Sequence, residues 1–227
     1  MKLSDKAMDK DSAKKALSPS AMRRKREKEH RLSTILKAAE VLFVEKGYHQ
    51  TGINEIADMA EVSVGTIYFY FKNKEGLLIG LTENIAYELR KTVGREFQKA
   101  DGTIEGFKRA GMAFFKDFCL PHPQKVAILF REAAGQSEEV EKIRKSAFFK
   151  MTSDVENALL KIADKMGTRF RSDISAEVMA VSIVGIYERV AYHYLLWGDS
   201  KVDIMDVGEN AVNFLIGGVN NLFSNQT

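Results

Sequence analysis

The chain has 227 residues, 45% of them hydrophobic, which suits one or two domains with a sizeable core. Its single cysteine, Cys119, excludes an internal disulfide and a thiolate metal cluster, and a net charge of +3 excludes a uniformly basic nucleic-acid binder. The longest apolar run, VMAVSIVGIY over 178–187, is too short for a membrane span and ends against Glu188 and Arg189.

The basic start has no apolar stretch of the kind a signal peptide needs, so a reducing cytoplasm is the expected location. Charge is unevenly divided along the chain. Residues 1–31 hold eleven bases and five acids, 11 − 5 = +6, so the remainder sums to 3 − 6 = −3. Residues 1–30 read as a basic arm, disordered up to about Pro19 because it has almost no apolar content. Its last part, RRKREKEHR over 23–31, suits non-specific attraction to phosphates; as a solvated leader it would be helical, with Arg23 and Glu27 at i, i+4.

A first helix is expected from about Leu32 to Lys46, with Ile35, Leu36, Ala39, Leu42 and Phe43 inward and Gly47 ending it. Between Thr51 and Lys74 come two short helices. Ile53, Ile56, Ala57 and Ala60 recur at i, i+3, i+4 and i+7; Glu61, Val62 and Ser63 break that period. Ser63 is a good N-cap for a second helix, in which Val64, Ile67 and Phe71 face inward while Gly65, Thr66, Phe69 and Tyr70 face out. Two helices this close form a helix-turn-helix. The first-turn N–H groups at Gly65 and Thr66 favour a phosphate oxygen, and the hydroxyls of Tyr68 and Tyr70 with the ammonium groups of Lys72 and Lys74 suit a phosphate backbone.

Asn73 can cap a long helix from about Lys74 towards Lys99, carrying Leu77, Leu78, Leu81, Ile85, Leu89 and Val93. Further helices are expected near 103–119, 123–134, 137–165, 175–197 and 205–223, bounded by Gly102, the PHP turn, Gly135, Gly167 and Gly198. No strand-like alternation occurs, so the fold class is all-α: an N-terminal three-helix helix-turn-helix domain joined by a long helix to a larger helical bundle. The last two helices carry apolar rows, including Val178, Val181 and Ile183, then Val207, Phe214, Leu215, Val219 and Leu222. Gly185, Gly217 and Gly218 would let partner helices approach, although burial of both rows within one monomer is the competing reading.

From Ile35 to Leu78 the segments ILKAAEVLFVEKG, GYHQT, EIADMAEVS, VGTIYFYF and KNKEGLL closely resemble, in order and spacing, the amino-terminal DNA-binding domain of the TetR family of transcriptional regulators. The resemblance implies a DNA-binding domain over 31–78 and an effector-binding and dimerisation domain over 79–227. It also implies a homodimeric repressor of double-stranded DNA at a near-palindromic operator. Thr51, Ser63, Val64, Gly65, Thr66, Tyr68, Phe69, Tyr70, Lys72 and Lys74 are then the DNA-facing set, with Thr51, Tyr70 and Lys74 on phosphates. Three positions depart from the family. Gly52 replaces a capping Thr or Ser, Glu61 takes a turn position usually held by Gly at a cost of roughly 1 kcal/mol, and Tyr70 replaces a common His.

In that family the second domain encloses an effector pocket. Among the many large apolar residues here, Phe114, Phe118, Phe149 and Tyr187, with Arg131, Arg189 and His193 as polar groups, are the expected lining for a hydrophobic small molecule. Against this stands pairing of Arg131 with a neighbouring Glu, and His193 as a core or interface histidine. The wording of GYHQ and IYFYFKNKEGLL resembles regulators of fatty-acid metabolism, which hints at a long-chain acyl ligand. The four histidines are not spaced as metal or triad groups and no glycine-rich phosphate loop precedes a helix, so no enzyme, cofactor or metal is expected. The alternative from another class is a DNA-bound scaffold of the same fold that holds a protein partner and has a solid core.

Overall fold

The computed structural model describes residues 18–99, 102–170, 172–198 and 202–224, and every regular element among them is helical. The arm over 1–17 and the side chain of Leu222 lie outside the described residues and side chains.

Helix α1 (Pro19–Lys46) starts far ahead of the expected Leu32. Residues 19–31 take the helical form that the i, i+4 spacing of Arg23 and Glu27 allowed, as a continuation of the first helix rather than a separate arm. The apolar stripe does end at Leu32, but local chemistry carries the helix three turns further. Ser18 Oγ accepts the Ala21 N–H at 3.3 Å, Pro19 fits the first turn, and Arg23–Glu27 and Lys25–Glu29 pair at 2.8 and 3.8 Å. At the other end Gly47, at φ 82°, stops the helix.

Helices α2 (Ile53–Met59) and α3 (Val64–Tyr70) pack beneath α1, burying Ile56, Ala57, Ala60 and Ile67 against Ile35, Ala39, Leu42 and Phe43. The turn between them closes through the Val62 N–H to the Ala57 carbonyl at 3.0 Å, with Glu61 at φ 53°, the left-handed conformation foreseen for it. Gly52 offers no side-chain cap, yet its own N–H donates to Glu55 Oε2 at 2.8 Å, so one half of a capping box survives.

Helix α4 (Lys74–Lys99) begins where Asn73 Oδ1 accepts the Gly76 N–H at 2.7 Å. Its buried row Leu77, Leu78, Leu81, Ile85 and Leu89 belongs to one apolar cluster that runs from α1–α3 into Phe115, Phe118, Val126 and Leu129. Then follow α5 (Ile104–Ala113), α6 (Pro123–Ala127), α7 (Glu138–Lys165), α8 (Ser175–Tyr192) and α9 (Ile204–Ser224). Three of these end in a wider π-helical turn: Phe114–Cys119 after α5, Ile128–Glu132 after α6 and His193–Trp197 after α8. A second cluster of Phe107, Leu159, Ile162, Ile183 and Leu215 holds α5, α7, α8 and α9 together. Helix α9 comes so close to the π turn of α5 that a Cβ on Gly208 would stand 2.7 Å from the Phe115 ring.

Candidate nucleic-acid interface and effector cavity

The tip of α3 is rigidly made and turned outward. Ser63 Oγ accepts the Thr66 N–H at 3.1 Å and pairs with the Thr66 hydroxyl at 2.9 Å. Ile67 is buried as the anchor, so its neighbours on the helix circle project: Gly65 and Lys72 are exposed, Tyr68 is 52% exposed and Phe69 74%. Val64 is half-buried at the edge. Leaving two aromatic side chains in water has no folding benefit, whereas they suit stacking or apolar contact in a groove.

Three residues expected at phosphates have other partners. Lys74 Nζ donates to the carbonyls of Tyr48 (2.9 Å), His49 (3.2 Å) and Thr51 (3.0 Å) and sits 4.6 Å over the Tyr48 ring, so all three ammonium protons are committed. The Thr51 hydroxyl, on a residue 1% exposed, donates to the Leu42 and Gly47 carbonyls at 3.1 and 2.9 Å. Tyr70 gives its proton to the Lys28 carbonyl of α1 at 3.2 Å. The predicted DNA-facing set thus divides into an outward group on α3 and three braces: Tyr70 ties α3 to α1, Thr51 ties the loop before α2 to the end of α1, and Lys74 ties that loop to the start of α4.

Farther along, α4, α5, α7 and α8 line a half-open cavity of about 520 Å³. Its walls are mainly apolar: Leu89, Val93 and Phe97 of α4, Phe107, Gly111 and Phe114 of α5 and its π turn, Phe148 and Met151 of α7, and Ile183 and Tyr187 of α8. Phe130, on the π turn after α6, completes them. Arg90 and Asp154 join α4 to α7 by two hydrogen bonds of 2.6 and 3.0 Å, and Lys91 and Lys161 add positive charge nearby. Glu188 also borders the cavity; burial pushes its carboxyl above the usual range, with Arg144 and Arg189 opposing. Tyr187 stacks on Phe114 at 5.5 Å with its hydroxyl buried, without a hydrogen-bond partner among the described residues and wedged against Gly111, and burial raises the phenol.

Residues 35–81, the segment that builds this helix-turn-helix, match the family model of bacterial regulatory proteins of the tetR family. Over these residues the chain carries the DNA-binding domain of the TetR family. Its members are DNA-binding transcriptional regulators. Among relatives, the fatty acid metabolism regulator protein of Bacillus subtilis is 23% identical over 201 residues, 86% of this chain and 99% of the relative. The transcriptional activator FasR of Mycolicibacterium smegmatis is 27% identical over 195 residues, 86% and 85% of the two chains. The crystal structure of FadR from Bacillus subtilis in complex with stearoyl-CoA shares the fold at a TM-score of 0.73, with 20% identity, covering 82% of this chain and 98% of that one.

Within the helical bundle the predicted pocket residues separate. Phe114 and Tyr187 line the cavity. Phe118 stacks behind Phe114 at 6.3 Å and is sealed in the core. Arg131 pairs with Glu132 at 2.7 Å outside it, as the competing reading had it. Phe149 is 75% exposed, because its neighbour Phe148 takes the inward face of α7. Arg189 lies over the Trp197 ring at 4.3 Å, and the exposed His193 meets Tyr194 edge-on at 4.9 Å. The walls from α4 and α7 were missed. Val93 and Phe97 mark the α4 wall in the sequence, as apolar residues at the end of the row near Gly94. The Arg90–Asp154 pair has no local signal.

Proposed function

We propose that the chain is a homodimeric repressor that occupies a near-palindromic operator and leaves it when a hydrophobic effector of the acyl class enters the cavity. The observation that carries this reading is the cavity itself. It falls in the roughly 300–1,000 Å³ range of small-molecule sites, it is mostly apolar, and α4, which forms one wall, starts at the Lys74 bracket under the helix-turn-helix. A scaffold with a solid core would need no such space. The stearoyl-CoA bound by the Bacillus subtilis neighbour supports an acyl chain, and Lys91 and Lys161 suit the charge of an anionic head group.

In this reading residues 31–78 are the reader and 79–227 the effector-binding and dimerisation unit. Ser63, Val64, Gly65, Thr66, Tyr68, Phe69 and Lys72 face the major groove, and Thr51, Tyr70 and Lys74 set the pose of α3. Exposed Val178 and Val181 on α8, Phe214 on α9 and open space above Gly185, Gly217 and Gly218 support a two-fold pairing of these helices. Such a pair offers its two α3 tips about 34 Å apart, one turn of DNA. A repressor of this kind works in the cytoplasm, where the DNA is.

The test is fluorescence anisotropy with a labelled duplex enriched by the protein from a randomised pool, titrated with palmitoyl-CoA and with coenzyme A. Release by palmitoyl-CoA but not by coenzyme A is expected. A duplex that stays bound, together with a native mass spectrum showing no co-purified small molecule, would overturn the effector reading.

A further inference from the structure

One face of α1 changes character half-way along. Positions 24, 28, 31, 35, 38 and 42 follow each other at spacings of four and three, so they lie in one row on the helix. The inner half of the row, Ile35, Ala38 and Leu42, is buried in the core under α2 and α3. The outer half, Arg24, Lys28 and Arg31, is exposed and basic. None of the three has an ion-pair partner among the described residues, whereas the off-row Arg23 and Lys25 are paired with Glu27 and Glu29. Residues 19–31 hold six bases against two acids, 6 − 2 = +4, more than the whole chain's +3.

The position of this segment is fixed by α3. The Tyr70 hydroxyl, at the end of the outward-facing helix, donates to the Lys28 carbonyl, so the basic half of the row overhangs the side of α1 on which α3 lies. From Arg31 back to Pro19 the helix reaches about 18 Å beyond the packed core at 1.5 Å per residue. Among the described residues, that tether is the one hydrogen bond that joins this basic segment to another element.

We propose that the first three turns of α1 are a second DNA-binding surface, on which Arg24, Lys28 and Arg31 take the phosphates that flank the half-site under α3. It rests on the DNA-binding reading above. The partner is the duplex backbone, chosen by charge complementarity and by the direction the Tyr70 tether imposes. The contact carries no base readout, so it lengthens the footprint and raises affinity without changing sequence preference.

Two charge-matched variants test it: Arg24, Lys28 and Arg31 all to Ala, and the off-row Arg23, Lys25 and Arg26 all to Ala. Alanine keeps the helix in both. Each is titrated, as the full chain, against the enriched duplex and against the same duplex cut flush with its half-sites. The row variant should bind the long duplex with a log–log salt slope shallower by about 3 per protomer, and it should no longer distinguish long from flush duplex. The off-row variant should keep both the slope and the length dependence. Equal losses in the two variants, or none in either, overturn the proposal while leaving DNA binding by α3 intact. Failure of the unaltered chain to enrich any duplex would overturn the DNA-binding reading and the proposal with it. Reduced binding to phosphatidylglycerol vesicles with unchanged duplex titrations would assign the row to a membrane surface and also overturn it.

Discussion

Glu132 Oε2 accepts the backbone N–H of Tyr48 at 3.2 Å, across 84 residues of sequence. Glu132 ends the π-helical turn whose Phe130 forms part of the cavity wall, and Tyr48 opens the turn whose carbonyls Lys74 gathers. One short segment therefore touches the cavity at one residue and the helix-turn-helix two residues later. The Lys125–Glu88 ion pair makes a second joint, from α6 to the middle of α4. A displaced Phe130 has a direct mechanical route to the reader, with no need of a long relay.

Glu132→Gln keeps a neutral acceptor in place and should fold normally. Glu132→Ala leaves the half-buried Tyr48 N–H unpaired and should lower stability by about 1–2 kcal/mol, read from urea denaturation. In the anisotropy assay it should hold the duplex but respond to palmitoyl-CoA with a raised midpoint. A wild-type response in Glu132→Ala would remove this joint from the coupling route.

Lys74 and Lys72 are two residues apart and should behave in opposite ways. Lys74→Ala removes a charged donor from three carbonyls and should cost roughly 1.5–3 kcal/mol of stability, with any loss of DNA affinity following from a loosened α3. Lys72→Ala should leave the melting temperature alone and lower the log–log salt slope of duplex binding by about 1 per protomer. Calorimetry and a salt titration on both variants separate the brace from the contact.

What was legible in the sequence was what local chemistry decides. Thr103 and Ser137 cap α5 and α7, Pro123 opens α6, and glycines at positive φ follow α1, α4 and α7, so these ends fell within a few residues of their expected places. The start of α1 was misjudged because a hydrophobic stripe marks only the packed part of a helix, while its outer turns rest on an N-cap and i, i+4 pairs. The cavity was legible as a surplus of aromatics but not in its membership. Phe148 and Phe149 are the same residue type side by side, and only the roll of α7 against α4 decides which is inside. In the same way Thr51 and Lys74 have groups that suit phosphates, and only the fold shows that backbone carbonyls reach them first.

Tyr187 and Gly111 make a matched pair. A Cβ at position 111 would fall inside contact distance of the Tyr187 hydroxyl and 2.9 Å from a Val212 methyl, so Gly111→Ala should destabilise by about 1–3 kcal/mol. The same hydroxyl is buried with no hydrogen-bond partner among the described residues, and Tyr187→Phe should be neutral or stabilising by about 1 kcal/mol. Combined, the two changes should cost less than Gly111→Ala alone, because the phenyl ring yields the space the new methyl needs. A double-mutant cycle from urea denaturation reads the coupling; simple additivity would show that the two positions do not meet.

Glu40 is buried where α1 faces α6, and burial raises its carboxyl above the ordinary 4.5, with Lys125, Gln124 and His122 opposing and Glu88 adding to the rise. The folded chain therefore holds this proton more tightly than the unfolded chain. The contribution to stability is complete below about pH 4.5 and is lost as pH rises through the folded-state value. Glu40→Gln should gain on the wild type across that window and plateau above it, with no difference below. Glu55, Glu96 and Glu141, whose side-chain partners lower their carboxyls, lose stability in the opposite direction as pH falls, but they act equally in both proteins and cancel in the difference. Urea midpoints of the two proteins at stepped pH measure it, and a constant gap at every pH would rule out the carboxylate's charge as the cause.

Phe214 is 71% exposed on α9, and the exposed Val178 and Val181 stand on α8, the helix packed beside it. Side chains of this size in water gain nothing within one subunit; the proposed pairing would cover them, and Gly217, one turn on from Phe214, leaves open space for an approaching helix. Phe214→Glu puts a charge where two copies would meet across a two-fold axis, so each interface holds two like charges close together and poorly solvated. Sedimentation velocity should show the wild type as a dimer and Phe214→Glu shifted towards monomer, with helical content by circular dichroism unchanged. Its duplex affinity should fall by far more than that of Lys72→Ala, because the loss of one partner removes every contact of the second α3. Should Phe214→Glu sediment as the wild type does, the α8–α9 face is not where the subunits join.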